Sequence, residues 1–320
     1  MPARRLSALA YRRITGAAVV ALFAIVVTGG AVRLTGSGLG CPDWPTCARG
    51  SVVPPLQYNA LVESVNRTIT GVVSVAVVLA ALGSLLRTPR RRDLIWLSAG
   101  LVAGVVGQVV LGGLVVLFDL YPPLVMAHFG LSMLLLWCAV VLHHRAGQDP
   151  PAGGAALSGP GRPAPGPGLP SMARVLLVAT AIVVLLGTVV TGSGPHPGSN
   201  GDQVVERLPF SLHAAARLHS AAVWLLVFLV VVFAVSARAA RAAPEVLRRV
   251  EVVLAAVVAQ GAVGYVQYFT RLPALLVGVH VAGAAGVWVA VVRLQQSVTA
   301  PGPADRQVGD AEHEPALVST

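Results

Sequence analysis

Residues 14–38 read ITGAAVVALFAIVVTGGAVRLTGSG, an apolar run that ends in Arg33 and the polar sequence Thr-Gly-Ser-Gly. The run carries no charge before Arg33, and it is long enough to cross the hydrocarbon core of a bilayer, which takes about 20 residues. A second apolar run ends in the same four residues at 191–194. The two stretches predict membrane-spanning helices that occur in two related copies.

The composition of the whole chain agrees with a membrane protein. Of its 320 residues, 55% are hydrophobic and 11% charged, and the mean hydropathy is +0.76, whereas soluble domains carry about 25% charged residues. A hydropathy window of roughly 19 residues predicts an all-α polytopic membrane protein, with eight transmembrane helices arranged as two pseudo-symmetric four-helix bundles. The eight segments are 14–32, 67–86, 94–118, 124–142, 173–191, 218–236, 250–269 and 274–294.

Arginine placement predicts the orientation. All 23 basic residues are arginine, and they cluster before the first segment and in every second connection after it. Cytoplasmic loops carry such an excess of basic residues, so we expect both termini in the cytoplasm of a prokaryote and the alternate loops outside. The same clustering between apolar runs argues against a nucleic-acid-binding face, despite the net charge of +10. The first segment lacks a small-residue cleavage site, so we expect it to be retained as a helix.

Matched polar residues indicate an internal duplication. Gln260 and His280 lie 152 positions after Gln108 and His128. Four helices in each half would start both halves on the same side, as in parallel repeats. The Pro-, Gly- and Ala-rich stretch between the halves is typical of a flexible linker. The predicted parts are a first half at 1–149, a linker at 150–172, a second half at 173–299 and a disordered tail at 300–320.

Histidines within the membrane are costly and need an explanation. His219 and His280 lie in two even-numbered segments of the second half, at similar depth near the outer side. Two facing imidazoles in a four-helix bundle are suited to hold a heme between axial ligands. The alternative is that each histidine only hydrogen-bonds a neighbouring helix.

The first half offers a different set of residues. His128 is its intramembrane histidine, and the counterpart of His219 falls near Asn66, a poor heme ligand. One ligand with an open opposite side suits a reactive site better than electron transfer. Glu63 lies one helical turn before Asn66, where a carboxylate would relay protons or simply interact with the helix macrodipole.

Cys41 and Cys47 bracket a turn-rich spacer in the first outer loop. On the oxidising side of a membrane they should form a disulfide, with a structural role and a redox role both open. Arg33, Arg67 and Arg217 lie at outer helix ends. Their guanidinium groups suit carboxylates such as heme propionates, and snorkelling to the interface is the equally good alternative.

The stretch from Gly29 to Cys47, GGAVRLTGSGLGCPDWPTC, closely resembles the first outer loop of the heme A synthases. The resemblance extends over residues 14–294. It implies an oxidoreductase that converts the methyl group of heme O to the formyl group of heme A for terminal cytochrome oxidases.

The resemblance also implies roles for individual residues. A heme b cofactor would be held by His219 and His280, and heme O as substrate would lie in the first half with Glu63 and His128. Asn66 departs from the family, because many members carry histidine there, so the substrate iron would be held mainly through His128. Arg67 would belong to this substrate site.

Other functions remain open at the level of the sequence. A diheme b-type cytochrome would need two complete histidine pairs, which Asn66 counts against. A transporter would be expected to show broken helices, and a heme-delivery assembly protein would need much the same pocket as the enzyme. Partners suggested by the resemblance are heme O synthase and cytochrome oxidase assembly factors. The chain shows no flavin, nucleotide or iron–sulfur motif that would identify an electron donor.

Overall fold

The structure, a computed structural model, describes residues 5–148, 168–200 and 203–299. Over these residues the chain forms eight α-helices and no β-strands beyond isolated bridges. All eight are long and apolar enough to cross a membrane, which confirms the predicted fold class. The helices are α1 Ala8–Leu34, α2 Tyr58–Leu86, α3 Arg92–Leu117, α4 Pro122–Ala146, α5 Leu169–Ser193, α6 Leu212–Ala239, α7 Pro244–Phe269 and α8 Ala274–Thr299.

The helices extend beyond the predicted apolar segments because capping residues lie further out. Ser7 and Ser211 accept hydrogen bonds from backbone N–H groups in the first turns of α1 and α6, which satisfies donors that a helix start leaves free. Pro170 lies at the start of α5, where its fixed φ suits a first turn. Residues 169–172 are therefore helical, which corrects the predicted linker of 150–172 at its end. The rest of that linker and the tail lie almost wholly outside the described residues.

Each half forms a ring of four antiparallel helices. α1 packs on α2, α2 on α3, α3 on α4 and α4 on α1, and α5 to α8 repeat this order. The two rings meet where α4 packs on α8, flanked by the related pairs α1–α8 and α4–α5. A pseudo-two-fold axis through the α4–α8 contact would relate α1 to α5 and α4 to α8, and it would therefore relate the α1–α8 contact to the α4–α5 contact, as observed. We call the end of the molecule at which α1 ends and α2 begins the loop end, and the opposite end the terminal end.

The turns before α4 and α8 repeat in detail. Asp119 and Leu120 have positive φ angles of 48° and 60°, and Arg271 and Leu272, 152 positions later, have 66° and 59°. In both turns the second residue donates its N–H to a carbonyl five positions earlier, at 2.8 and 2.7 Å. The same unusual backbone at the spacing of the two histidines supports the duplication.

The packing is that of a protein in lipid. Large apolar side chains such as Val20, Trp96 and Leu275 are 68%, 77% and 79% exposed on the outside of the helices. The interior holds two large apolar clusters, one in the second bundle and one that fills the first bundle and crosses the seam to Ala285, Trp288 and Val292 of α8. At the seam the indole N–H of Trp288 donates to the carbonyl of Met133 at 2.9 Å. The chain is a multi-pass membrane protein.

Candidate functional site

The second bundle brings His219 and His280 together. His219 lies in the second turn of α6 and His280 in the second turn of α8, on helices that stand diagonally across the bundle. Their ring centroids are 6.4 Å apart, and the ring planes are inclined by 75°. The two imidazoles therefore face each other across the bundle axis, as the sequence predicts.

Glycines on the neighbouring helices make room for these rings. A Cβ atom at Gly187 of α5 would lie 3.3 Å from Cε1 of His219, and one at Gly264 of α7 would lie 3.3 Å from Cε1 of His280. Nδ1 of both rings is buried without a hydrogen-bond partner. Because Nδ1 is enclosed by protein, Nε2 is the atom suited to bind a ligand.

His128 has the corresponding position in the first bundle. A Cβ atom at Gly112 of α3 would lie 3.2 Å from its Cε1, which repeats the contact between Gly264 and His280. Its Nδ1 is likewise buried without a partner. The side chain of Gln108 donates to the carbonyl of His128 at 3.1 Å and to Ser132 Oγ at 2.6 Å. Gln108 and His128, whose spacing recurs in the second half, thus hold α3 against α4 at the level of the histidine.

Asn66 does not share an environment with Glu63, although one turn of α2 separates them. Its Oδ1 accepts a hydrogen bond from Thr28 Oγ1 of α1 at 2.8 Å. Asn66 and Thr28 line a cleft of about 370 Å³ between α1 and α2. The other side chains that line this cleft, such as Val62 and Ile69, are mainly apolar. Glu63 is not part of this lining.

Glu63 is instead bound to the first loop. Its residue is 5% exposed, and its Oε2 accepts the backbone N–H of Cys41 at 2.8 Å. Its Oε1 accepts from Nη2 and Nε of Arg67 at 2.6 and 3.1 Å. Both carboxylate oxygens are therefore engaged, and the carboxylate joins α2 to the cysteine loop.

Arg67 also connects α2 to the cysteine loop. Its guanidinium group donates to the backbone carbonyls of Cys41, Asp43 and Thr46, with distances from 2.8 to 3.3 Å. A planar group with five N–H donors can bind several acceptors at once. We call Glu63, Arg67 and the loop backbone that they bind the loop clamp.

The clamped loop is closed by the predicted disulfide. Cys41 and Cys47 are bonded to each other and almost fully buried. The indole ring of Trp44, between them, lies against α3, since a Cβ atom at Gly113 would be 2.7 Å from its ring. Gly113 directly follows the glycine that packs against His128. The loop clamp thus holds a loop whose indole ring packs against α3.

Substitution of Gly40 should dislodge this loop. A Cβ atom there would lie 2.3 Å from the carbonyl oxygen of Asn59 and 2.7 Å from the N atom of Ala60, and backbone atoms cannot yield as side chains do. We expect Gly40→Ala to destabilise the protein by about 1–3 kcal/mol, measured as a lower thermal unfolding midpoint in detergent. Gly71→Ala is the matched control, because a Cβ atom at Gly71 meets nothing within 4 Å. Equal midpoints for the two variants would contradict the tight seating of the loop.

Sequence reasoning did not find several of these contacts. The pairing of Glu63 with Arg67 follows the i, i+4 spacing of a helix and was open to prediction. The contacts of Trp44 with α3 and of Thr28 with Asn66 depend on helix rotation and on the path of the loop, which no sequence period encodes.

The histidines suit a centre with two axial ligands. Across the described residues there is no group of three or more His, Cys, Asp or Glu side chains placed to share a metal ion. A pair of opposed imidazoles is the ligand set of a heme iron rather than of a tetrahedral zinc site.

Comparison with known proteins points to one family. The chain is similar to the heme A synthase of Bacillus licheniformis, with 29% identity over 116 residues, which are 36% of this chain and 38% of that protein. It is 32% identical over 148 residues to the heme A synthase of Geobacillus kaustophilus, covering 41% of this chain and 45% of the relative. For the heme A synthase of Symbiobacterium thermophilum the identity is 32% over 197 residues, covering 60% and 62%. The chain thus covers less than two thirds of the length of each of these relatives.

A family of proteins matches more of the chain than these individual relatives do. The family described as cytochrome oxidase assembly protein (COX15-CtaA) matches residues 12–60 and 55–292. These residues include the clamped loop, the three intramembrane histidines and both bundles. The chain belongs to this family of cytochrome oxidase assembly proteins.

Proposed function

We propose that the chain is a heme A synthase, an oxidoreductase that converts the methyl group of heme O to the formyl group of heme A. Family membership and the names of its relatives support this proposal. The observation that carries it is the opposed pair of His219 and His280 in the second bundle, 6.4 Å apart, while the first bundle has the single histidine His128 at the equivalent depth. One complete and one incomplete ligand set suit a cofactor and a substrate respectively.

The geometry of the second bundle fits a heme b. Metal–imidazole bonds of about 2.0–2.1 Å on both sides, together with the distance from each ring centre to its nitrogen, require centroids slightly more than about 6 Å apart. The observed 6.4 Å meets this requirement. Gly187 and Gly264 leave the space in which the two rings are held. Bound there, the heme would supply one-electron transfer, and His219 and His280 would hold its iron through Nε2.

The residues of the first bundle would position the substrate. His128 would bind the iron of heme O, with Gly112 and Gln108 fixing the helix that carries it. Asn66 would leave the opposite side open, and the apolar cleft beside it offers a surface to the isoprenoid chain of heme O. Glu63 and Arg67 would act by holding the loop with Trp44 and the disulfide against this site.

Orientation and partners follow from the same proposal. The arginine-rich terminal end would face the cytoplasm, which places the loop end and both histidine levels near the outer surface. The first half, 1–149, would be the substrate domain and the second half, up to residue 299, the heme b domain. Heme O synthase would deliver the substrate, cytochrome oxidase assembly factors would receive the product, and the electron donor would be a separate molecule.

Extraction and chromatography of the hemes bound to the purified protein test the proposal. Heme b together with heme O or heme A, and turnover of added heme O, are the expected results. Heme b alone at two equivalents per chain would favour a diheme cytochrome. Retention of heme O without turnover under reducing and aerobic conditions would favour a delivery protein. Absence of heme after expression in a heme-sufficient host would contradict every heme-based function.

Substitution of Asn66 tests the open side of the substrate site. Asn66→His places a second imidazole at the counterpart of His219, so we expect the bound substrate heme to change from a high-spin to a low-spin spectrum. Asn66→Gln is the control, because it keeps an amide that cannot ligate iron strongly. An unchanged spectrum in Asn66→His would show that residue 66 does not face the substrate iron.

A further inference from the structure

A cavity of about 510 Å³ lies at the loop end of the second bundle. It is lined by the last residues of α5, the first turn of α6, the end of α7 and the turn that leads into α8. Because three helices of the bundle and the turn before the fourth border it, the cavity lies over the axis of the bundle. His219 and His280 face each other across the same axis.

The depth of the histidines below the cavity is set by helix geometry. Leu212 and Leu272 line the cavity, and His219 and His280 follow them by seven and eight positions. At 1.5 Å per residue the imidazoles lie roughly 10 Å further into the bundle. This separation is comparable with the distance from the iron of a porphyrin to its propionate carboxylates.

The lining of the cavity is cationic. Arg207 and Arg271 both line it, beside His213, whose Nδ1 is 2.7 Å from the hydroxyl oxygen of Tyr268. In the part of the chain that the structure describes, no acidic side chain lines the cavity and no carboxylate forms a salt bridge with either arginine. Among the described residues, the guanidinium group of Arg207 has a single hydrogen bond, a long one of 3.4 Å to the carbonyl of Pro195.

A further arginine adds to the positive charge at this end. Arg33 lies close enough to Arg207 for their charges to repel each other. Its Nη2 donates to the carbonyl of Thr191 at 3.2 Å, and its Nε is buried without a hydrogen-bond partner. Arg207 and Arg271 are exposed, and like charges gathered in one concave site create a positive potential that attracts an anion.

We propose that Arg207 and Arg271 bind the two propionate carboxylates of the porphyrin held between His219 and His280. The inference rests on the proposed function, and it adds a binding site that fixes the orientation of the cofactor, with its propionates toward the loop end. Guanidinium groups match carboxylates in shape and charge. Arg217, which the sequence suggested for this role, does not line the cavity. A lipid phosphate is the other anion that the same chemistry would accept.

The test compares Arg207→Gln, Arg271→Gln and the double variant with the wild-type chain. Each protein is prepared without heme in heme-deficient cells and loaded with protoheme or with its dimethyl ester, in which both carboxylates are blocked. The rate of heme transfer to an excess of apomyoglobin and the midpoint potential of the bound heme are measured. Arg217→Gln is the matched control, an exposed arginine on α6 outside the cavity.

The expected result is specific to the carboxylates. Each charge-assisted hydrogen bond contributes enough for about a tenfold change, so the double variant should release protoheme at least about tenfold faster than the wild type. Its midpoint potential should be lower, because the propionate charges are no longer compensated. Wild-type protein loaded with the dimethyl ester should release it as fast as the double variant does, and Arg217→Gln should match the wild type.

Three outcomes would overturn the inference. The first is release of protoheme from the double variant at the wild-type rate, and the second is faster release from Arg217→Gln than from the wild type. Equal release of protoheme and its ester from the wild type, with faster release of both from the double variant, would assign the arginines to a lipid phosphate or to the fold. A wild-type chain that binds no heme in the second bundle would instead refute the proposed function, and this inference with it.

Discussion

His280→Ala is expected to abolish the low-spin b-type spectrum of the purified protein, and His219→Ala should do the same. Each substitution removes one of two imidazoles whose centroids are 6.4 Å apart, and no other described histidine lies at this level of the second bundle. The bound heme b should fall to a small fraction of the wild-type stoichiometry, measured by extraction and by the pyridine hemochrome spectrum. Turnover of heme O should be lost with it.

Added imidazole provides the sharper version of this experiment. The alanine variant leaves a space beside Gly264, where the ring of His280 packed, and free imidazole can enter it. We expect millimolar imidazole to restore a low-spin spectrum in His280→Ala. The free imidazole would replace the missing side chain as a ligand although it is not attached to the protein. His144→Ala is the control, because His144 lies at the terminal end of α4 and contacts Gln148. Wild-type spectra in both His219→Ala and His280→Ala would refute the heme site.

The eight helices were open to prediction because the bilayer imposes a simple rule on the sequence. Each helix must satisfy its own backbone hydrogen bonds and present apolar side chains to lipid, so a hydropathy window finds it. The helix ends were less accurate. Ser7 and Pro170 extend α1 and α5 beyond their apolar segments, and such local capping outweighs hydropathy at a helix end.

The opposed histidines were predictable for a different reason. The duplication places Gln108 and His128 in one half and Gln260 and His280 in the other at a constant offset. A repeated fold must bring equivalent residues to equivalent depth, so the sequence alone puts His280 at the level of His128. The rotation of each helix about its axis is not encoded in this way. Only the structure shows that Asn66 turns towards Thr28 of α1.

The loop clamp illustrates where sequence reasoning ends. Spacing suggests that Glu63 and Arg67 meet on α2, but it gives no sign that both bind the cysteine loop. That contact depends on the path of residues 39–57 between two helices, and in particular on Gly40, whose missing side chain lets the loop approach the backbone of α2. Glu63, expected beside Asn66, therefore faces a different part of the molecule.

Glu63→Gln is expected to open the first loop. The substitution removes the charge that pairs with Arg67 at 2.6 Å, where the side chains are 7% and 28% exposed. Breaking a buried pair costs about 3–5 kcal/mol, and the partial exposure of Arg67 reduces this to about 2–3 kcal/mol. Because Cys41 and Cys47 are buried, their disulfide is reduced only when the loop opens. A soluble phosphine should therefore reduce it about 30- to 150-fold faster than in the wild type, and turnover should fall.

The matched control is Asp43→Asn, since Asp43 belongs to the same loop and, among the described residues, its carboxylate accepts one hydrogen bond, from the exposed N–H of Gly50 at 3.2 Å. Its disulfide should be reduced within about fivefold of the wild-type rate, because an exposed interaction contributes at most about 1 kcal/mol. Arg67→Gln should resemble Glu63→Gln, and the double variant should be no worse than either, because the two side chains act as one unit. If Glu63→Gln abolished turnover and left the rate of disulfide reduction unchanged, the carboxylate would act on the substrate directly. Holding the loop would then not be the main function of the Glu63 carboxylate.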